Sequence, residues 1–402
     1  MNNSIFAIGI ISVSALVCLP RPLPAQTPLY TTPPAPWVNR SGNVRSFAPE
    51  VLPDRKITFR IEAPTASEVQ LVVGTDHADQ HTYSLKKGEG GVWSVTLGPV
   101  DPEIYPYFFK IGGARVGRGN VEVHGAAPAV HDLQNVPHGS TTTHTYFSKV
   151  QNSLRQLSVY VPPQYYSEPQ RAFPILYNWG GGGNGRDAII LDNLNAAKKA
   201  VPMIMVLVDT SVPDNGSSPD GQGLSLELKN SNLTGLAKLA AESEAARVMN
   251  SDELVTDVMP FVESHYRTLS GRDNRAMVGI SHSGGTSFTA TTRNLDKFGN
   301  LGLLSTGMFG GLLPSPTFAL YGPYEPDKLL PPLSKKLLAP ATRLKVFYMS
   351  CGNIDPRVTF IQQGAKDFQR YGVKTVVEVF PGGHQDKAFR PAFVNFVSLL
   401  FK

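Results

Sequence analysis

Cysteine is nearly absent: 402 residues hold two, Cys18 and Cys351. Cys18 lies in an N-terminal apolar stretch with the make-up of a removable leader, and its loss leaves Cys351 alone, which excludes an intrachain disulfide framework. Basic residues are not concentrated anywhere: the net charge of +5 is spread over the chain with no dense Lys/Arg block, which argues against a nucleic-acid partner. No apolar segment after the leader reaches the ~20 residues of a membrane span. Internal repeats and coiled-coil heptads are also missing. Only 17% of residues are charged and 41% are hydrophobic, enough for a sizeable core, which excludes disorder beyond the ends and linkers.

The length suits two folded units, a module of ~100 residues and a core of ~250. The chain starts "MNNSIFAIGIISVSALVCLPRPLPAQ". A compact apolar run from Ile5 to Leu19 is followed by Pro20, Pro22 and Pro24 and by the small residue Ala25, the layout of a secretory signal over residues 1–25. The expectation is a secreted or periplasmic protein with no membrane contact once the signal is gone. Residues 26–54 are Pro-rich and aperiodic, an extended tether. From about Arg55, short alternating segments ("KITFRIEA", "EVQLVVG", "GVWSVTLGP", "IYPYFFKIGG") predict a small all-β sandwich over 55–124. Residues 125–150 read as a junction, and 151–402 as an α/β domain. Its continuous apolar runs "FPILYNW", "VPMIMVLVD", "NRAMVGI" and "LKVFYMSC" alternate with helical spacing, the pattern of a mostly parallel sheet covered on both faces. In "NSDELVTDVMPFVESHYR", Asn250 and Glu253 fit a capping box at a helix start, and Pro260 predicts a bend.

The stretch "VGISHSGG" carries the first chemistry. An apolar strand ending at Ile280 runs into Ser281, and small residues after it can open a helix, which is the setting of a nucleophile elbow. The usual spacing, G-x-S-x-G, keeps side chains two before and two after the serine from crowding. Ser281 satisfies it at Gly279 and departs from it at Ser283, a small replacement that the turn is expected to tolerate with some strain. A hydrolase serine requires a base and an orienting acid, which follow in the order Ser, acid, His at the ends of later strands. Asp355 follows "LKVFYMSC", and His384 follows "VVEVF". Asp355 also suits the start of a helix in "DPR". Asp386, two residues beyond His384, is expected to face solvent. The four glycines in "LYNWGGGGNGRD", with Gly180 and Gly181 first, follow a strand and can aim backbone N–H groups at a developing oxyanion; His282 would supply the second donor. A phosphate cradle is excluded because no Gly-Lys-Ser/Thr follows. His131, His138 and His144 do not have zinc-motif spacing. Trp93, Tyr105 and Phe109 of the front module lie on predicted strands, where core packing is the common fate.

From about Arg55 onward the chain resembles the esterases of carbohydrate esterase family one in the wide sense, the enterochelin-esterase and feruloyl or acetyl-xylan esterase group. "PILYNWGGGGNGRD" resembles that family's HGGGG strand and loop, "VGISHSGG" its G-x-S-M-G-G, "SCGNID" its acid loop, and "PGGHQDKAFRP" its G-G-H followed by W-R-P. The front module is similar to the immunoglobulin-like early-set or glycogen-binding-like domain fused to such enzymes. The resemblance implies an α/β-hydrolase fold with Ser281, Asp355 and His384 as triad and Gly180, Gly181 and His282 as oxyanion donors. It also implies substrate contacts at Trp179, Ser283 and Phe389, the three positions where this chain departs from the family's His, Gly and Trp. The implied substrate is an ester attached to plant cell-wall polysaccharide, cleaved without metal or organic cofactor. A siderophore lactone, acyl transfer to an alcohol, and a non-catalytic carbohydrate-binding relative are the alternatives.

Overall fold

The computed structural model describes residues 44–74, 80–179, 186–208, 235–306 and 324–402, with residues 235–240 described as backbone only. Strands are numbered β1 (Arg45–Ser46), β2 (Glu50–Val51), β3 (Ile57–Glu62), β4 (Gln70–Val73), β5 (His81–Ser84), β6 (Lys86–Lys87), β7 (Val92–Leu97), β8 (Glu103–Ile111), β9 (Ala114–Val123), β10 (Ser140–Ser148), β11 (Ser153–Val161), β12 (Ile175–Trp179), β13 (Ile204–Val208), β14 (Arg275–Ile280), β15 (Asn300–Leu304), β16 (Val346–Gly352) and β17 (Val376–Phe380). The described helices are α1 (Gln164–Ser167), α2 (Asp187–Ala196), α3 (Gly235–Glu253), α4 (Met259–His265), α5 (His282–Arg293), α6 (Pro326–Leu338), α7 (Val358–Arg370) and α8 (Asp386–Leu399).

Strict alternation in β3 buries Ile57, Phe59 and Ile61 on one face, and the rest of the module is built to cover that face. One sheet, β1-β3-β7-β6 with β2 also on β3, packs on a second, β5-β4-β8-β9. Phe59 meets Tyr107 edge to face at 5.1 Å across the core. Trp93 and Phe109 are buried there too, the Trp93 indole donating to the Ala63 carbonyl at 3.0 Å. The sandwich starts ten residues earlier than the expected Arg55. Arg45–Ser46 and Glu50–Val51 pair with β3 and so satisfy the backbone groups at its two ends. Pairs this short leave no alternation in the sequence to be read.

The second unit is an eight-stranded sheet, β10-β11-β13-β12-β14-β15-β16-β17. β11 runs antiparallel to both its neighbours, β10 and β13, and all the other neighbouring pairs are parallel. β10 was expected in the junction, yet Ser140–Ser148 pairs with β11 along its whole length and belongs to this sheet. α2 and α8 cover one face through Ile190, Leu194, Phe393 and Phe396. The π-helical turn at Leu254–Val258 and the helices α4 to α7 cover the other, through Leu254, Val262, Phe288, Leu330 and Phe368 among others. Apolar runs in the strands are thus explained by burial on both sides.

Asn250 and Glu253 do not open a helix, because α3 runs through them from Gly235. Both are buried, and Glu253 accepts from Tyr146 at 2.8 Å and Gln151 at 2.6 Å and pairs with Arg155 at 2.9 Å. The bend expected at Pro260 takes the form of a π-helical turn, Leu254–Val258, after which α4 starts with Pro260 in its first turn. A proline there lacks only an N–H that the wider turn leaves unpaired.

The junction before β10 is strapped to α2. Asn193 donates to the carbonyls of Val130 and Asp132, both at 2.8 Å. Asp192 accepts from Tyr160 at 2.6 Å and from the Gly139 amide at 3.0 Å, and lies 3.0 Å from His138 Nδ1. Among the described residues no helix is long and apolar enough to cross a membrane. The leader and most of the tether lie outside the described residues.

Candidate active site

The parallel strands deliver their carboxyl ends to one edge of the sheet, where loops and helix starts gather. β14 ends at Ile280 and α5 begins at His282, so one residue, Ser281, makes the whole reversal. It does so at φ 55°, ψ −125°, a conformation that a residue with a side chain adopts only under constraint. Two hydrogen bonds hold it: its amide donates to the Leu304 carbonyl at 2.9 Å, and its carbonyl accepts from the Gly284 amide at 3.1 Å.

The glycine spacing around this serine has a specific cause. A Cβ on Gly279 would run into the main-chain carbonyl of Ser283 and the Ser287 hydroxyl, and one on Gly284 would run into Thr306. The crowding at 279 comes from backbone that every residue at 283 would have. Glycine is therefore demanded at 279 and not at 283. Ser283 sits in α5, 9% exposed and outside the left-handed region, so the expected strain falls on Ser281 instead.

Asp355 and His384 reach this serine from the next strands but one and two. His384 Nε2 lies 2.8 Å from Ser281 Oγ, and His384 Nδ1 lies 2.7 Å from Asp355 Oδ2. The Asp355 carboxylate is buried and uses its other oxygen as well: Oδ1 accepts from the Arg357 amide at 2.9 Å and its guanidinium at 3.1 Å. Asp355 thus orients the imidazole and closes the turn into α7. Burial alone would raise its pKa, but the hydrogen bonds from His384 and the Arg357 amide, with the charges of both residues, hold it at about 2. The neighbouring Cys351 thiol is buried, and burial followed by the Asp355 charge pushes it up to about 12, so it stays protonated.

Two loops carry the acid and the base, and they are packed backbone to backbone. A Cβ on Gly352 would meet the carbonyls of Gly382 and Gly383. Asn353 clamps the pair: its amide donates to Phe380 O at 2.7 Å, and its side-chain Oδ1 accepts from the Gly382 amide at 2.9 Å. Neither Asn353 nor Arg357 stood out in the sequence. Their only signal is adjacency to Asp355 in "CGNIDPR".

His282 is the first residue of α5, where an amide has no acceptor within its own helix. The protein packed around its imidazole, and then the Arg247 cation, hold its pKa below the ordinary histidine value. Gly180 and Gly181 lie outside the described residues. Of the three expected substrate contacts, Phe389 is beside the triad, its ring edge-on to His384 at 5.1 Å. Trp179 is not at the surface: it is 1% exposed and joins Ile175 and Tyr177 in the core, because alternation along β12 points these three the same way. Ser283 is on the buried side of α5. Asp386 does not face solvent as expected, since it lies 4.0 Å from Arg390 in a largely buried cluster, and burial raises its pKa. The three junction histidines go separate ways, His131 to Asp132, His138 to Asp192 and His144 to the Tyr266 hydroxyl.

A positive-φ serine between a parallel strand and a helix, with histidine and aspartate from later strands, defines an α/β-hydrolase type of site. Residues 148–398 match the Esterase family model, and residues 46–124 match carbohydrate-binding module 48, the isoamylase N-terminal domain. The chain belongs to the Esterase family and carries an N-terminal domain of the module 48 type. A curated relative, the endo-1,4-beta-xylanase/feruloyl esterase of Xylanibacter ruminicola, is 28% identical over 277 residues, covering 62% of this chain and 35% of the relative. The chain therefore spans about a third of that relative's length. Among solved structures, a ferulic acid esterase of Anaeromyces mucronatus aligns with TM-score 0.51 and 21% identity over 68% of this chain and 96% of that one. The enterobactin esterase of Shigella flexneri aligns with TM-score 0.56 and 13% identity over 90% of this chain and 94% of that one.

Proposed function

We propose that this chain is an exported serine esterase that removes feruloyl or acetyl groups from plant cell-wall xylan by way of an acyl-enzyme on Ser281. The observation that carries the mechanism is the continuous hydrogen-bonded chain Ser281–His384–Asp355, at 2.8 and 2.7 Å. Ser281 Oγ attacks the ester carbonyl while His384 Nε2 takes its proton. Asp355 keeps the Nδ1–H tautomer and stabilises the imidazolium. The oxyanion is held by the His282 amide together with amides of the Gly180–Gly181 segment, and each such donor is worth about 3 kcal/mol in the transition state. His384 then protonates the leaving alcohol, and water, activated by the same histidine, releases the acid. Export is read from the N-terminal leader, and the xylan ester from the likeness to the xylanase/feruloyl esterase.

A siderophore lactone is the second reading, supported by the two-domain likeness to the enterobactin esterase over 90% of the chain. The test is steady-state hydrolysis of methyl ferulate, acetylated xylan and enterobactin by the mature chain and by Ser281→Ala. Ferulate or acetate release that disappears in the variant supports the first reading. Turnover of enterobactin alone supports the second. Undiminished activity in Ser281→Ala overturns the site assignment.

A further inference from the structure

Ion pairs join the module to the esterase domain. Arg390 of α8 is buried and donates to Glu103 of the module's β8. Its other terminal nitrogen, Nη1, is buried as well, with Asp386 Oδ2 at 4.0 Å. One guanidinium thus spans a module carboxylate and a carboxylate at the first residue of α8, two positions after His384. Phe389, which precedes Arg390 on this helix, lies edge-on to the His384 ring. A second tie runs parallel: Arg186, which precedes α2, donates to Glu122 of the module and to the His131 carbonyl at 3.1 Å.

We propose that the module is a working part of the esterase site, in which Glu103, by holding Arg390, sets the start of α8 and with it the position of His384. Glu103 and Arg390 are positioning residues, acting through the helix and Phe389. The inference rests on the reading of His384 as the site's base. A buried guanidinium that loses one carboxylate is drawn to the nearest other, here Asp386, and that movement pulls directly on the histidine loop. Loops packed this closely convert small shifts into misalignment of the proton acceptor.

The experiment compares full-length wild type with Glu103→Gln, Arg390→Gln, their double variant and Arg390→Lys. Expected is a ~10- to 100-fold fall in kcat on p-nitrophenyl acetate for Glu103→Gln and Arg390→Gln, with KM within about twofold. Their double variant should be no worse than the worse single. Should Arg390→Gln fail to fold, Arg390→Lys keeps the charge, loses the fork and is expected to show the same split. A lowered Tm with unchanged kcat would mean a merely structural tie and overturns the proposal. The proton resonance shared by His384 Nδ1 and Asp355 is the second readout: it should move in Glu103→Gln, and an unmoved resonance also overturns the proposal. If wild type cleaves no ester while this resonance moves, the tie stands and the esterase reading falls.

Discussion

His384 Nε2 lies 2.8 Å from the Ser281 hydroxyl, although 103 residues separate them in the chain. Two parallel strands intervene between the ones that deliver them, so the contact depends on the registers of β14 to β17 as a set. The same registers bring Asp355 under the other side of the ring.

Replacing Ser281 by alanine should lower kcat by ~10^4-fold or more, since a nucleophile acts as a unit with its base. Ser283→Ala should leave kcat within about threefold of wild type, because the hydroxyl at 283 is not what spaces the elbow. Burst and steady-state kinetics on p-nitrophenyl acetate check both. Loss of activity in Ser283→Ala alone would move the nucleophile.

Asp355→Asn should cost ~10^3- to 10^4-fold in kcat, through loss of the correct imidazole tautomer. Stability carries a separate signature. The Asp355 pKa is depressed from 3.8 to about 2, so the native state binds its proton more weakly than the unfolded chain does. That contribution, about 2 kcal/mol, is complete above pH ~5 and is lost as pH falls toward 2. Denaturant titrations between pH 2 and 6 should show the wild type losing this increment and Asp355→Asn not losing it.

Gly279→Ala should destabilise the fold by about 1–3 kcal/mol or more, because the new methyl meets main chain and cannot be relieved by a rotamer change. Gly284→Ala meets a side chain instead, so the added change Thr306→Ala should recover part of its loss. Thermal unfolding of the three variants distinguishes the two cases.

Glu253→Gln should cost about 3–5 kcal/mol, the penalty for removing one charge of a buried ion pair. Arg155 is 6% exposed, and Glu253 is 1% exposed. Equilibrium unfolding in urea measures it, and a change below about 1 kcal/mol would show that other groups neutralise Arg155.

The site's parts were unevenly legible. Ser281, Asp355 and His384 could be picked out because each follows an apolar strand, and a strand buried on both faces announces its own end. Phe389 is indicated by the resemblance of "PGGHQDKAFRP" to the family's G-G-H followed by W-R-P. The resemblance places Trp179 at the substrate because it precedes the glycine run, while strand alternation, decided by which face β12 presents to α5, buries it. Asp386 reads as solvent-facing because its counter-ion, Arg390, lies one turn along the helix and is itself paired with Glu103 of another domain. Asn250 and Glu253 resembled a cap because capping side chains and a buried polar network use the same residue types.

What the sequence by itself determined was the kind and order of elements: a β module, then strand and helix in alternation, with a serine, an acid and a histidine at strand ends. Hydrophobic periodicity and turn chemistry are local, so they can be read locally. Only the tertiary structure decided that Ser281 takes up φ 55° between the Leu304 carbonyl and the Gly284 amide, that Asn353 and Arg357 hold the acid loop, and that Arg390 ties the module to α8. Those outcomes depend on contacts between segments distant in the chain, and such contacts exist only once the sheet has set their spacing.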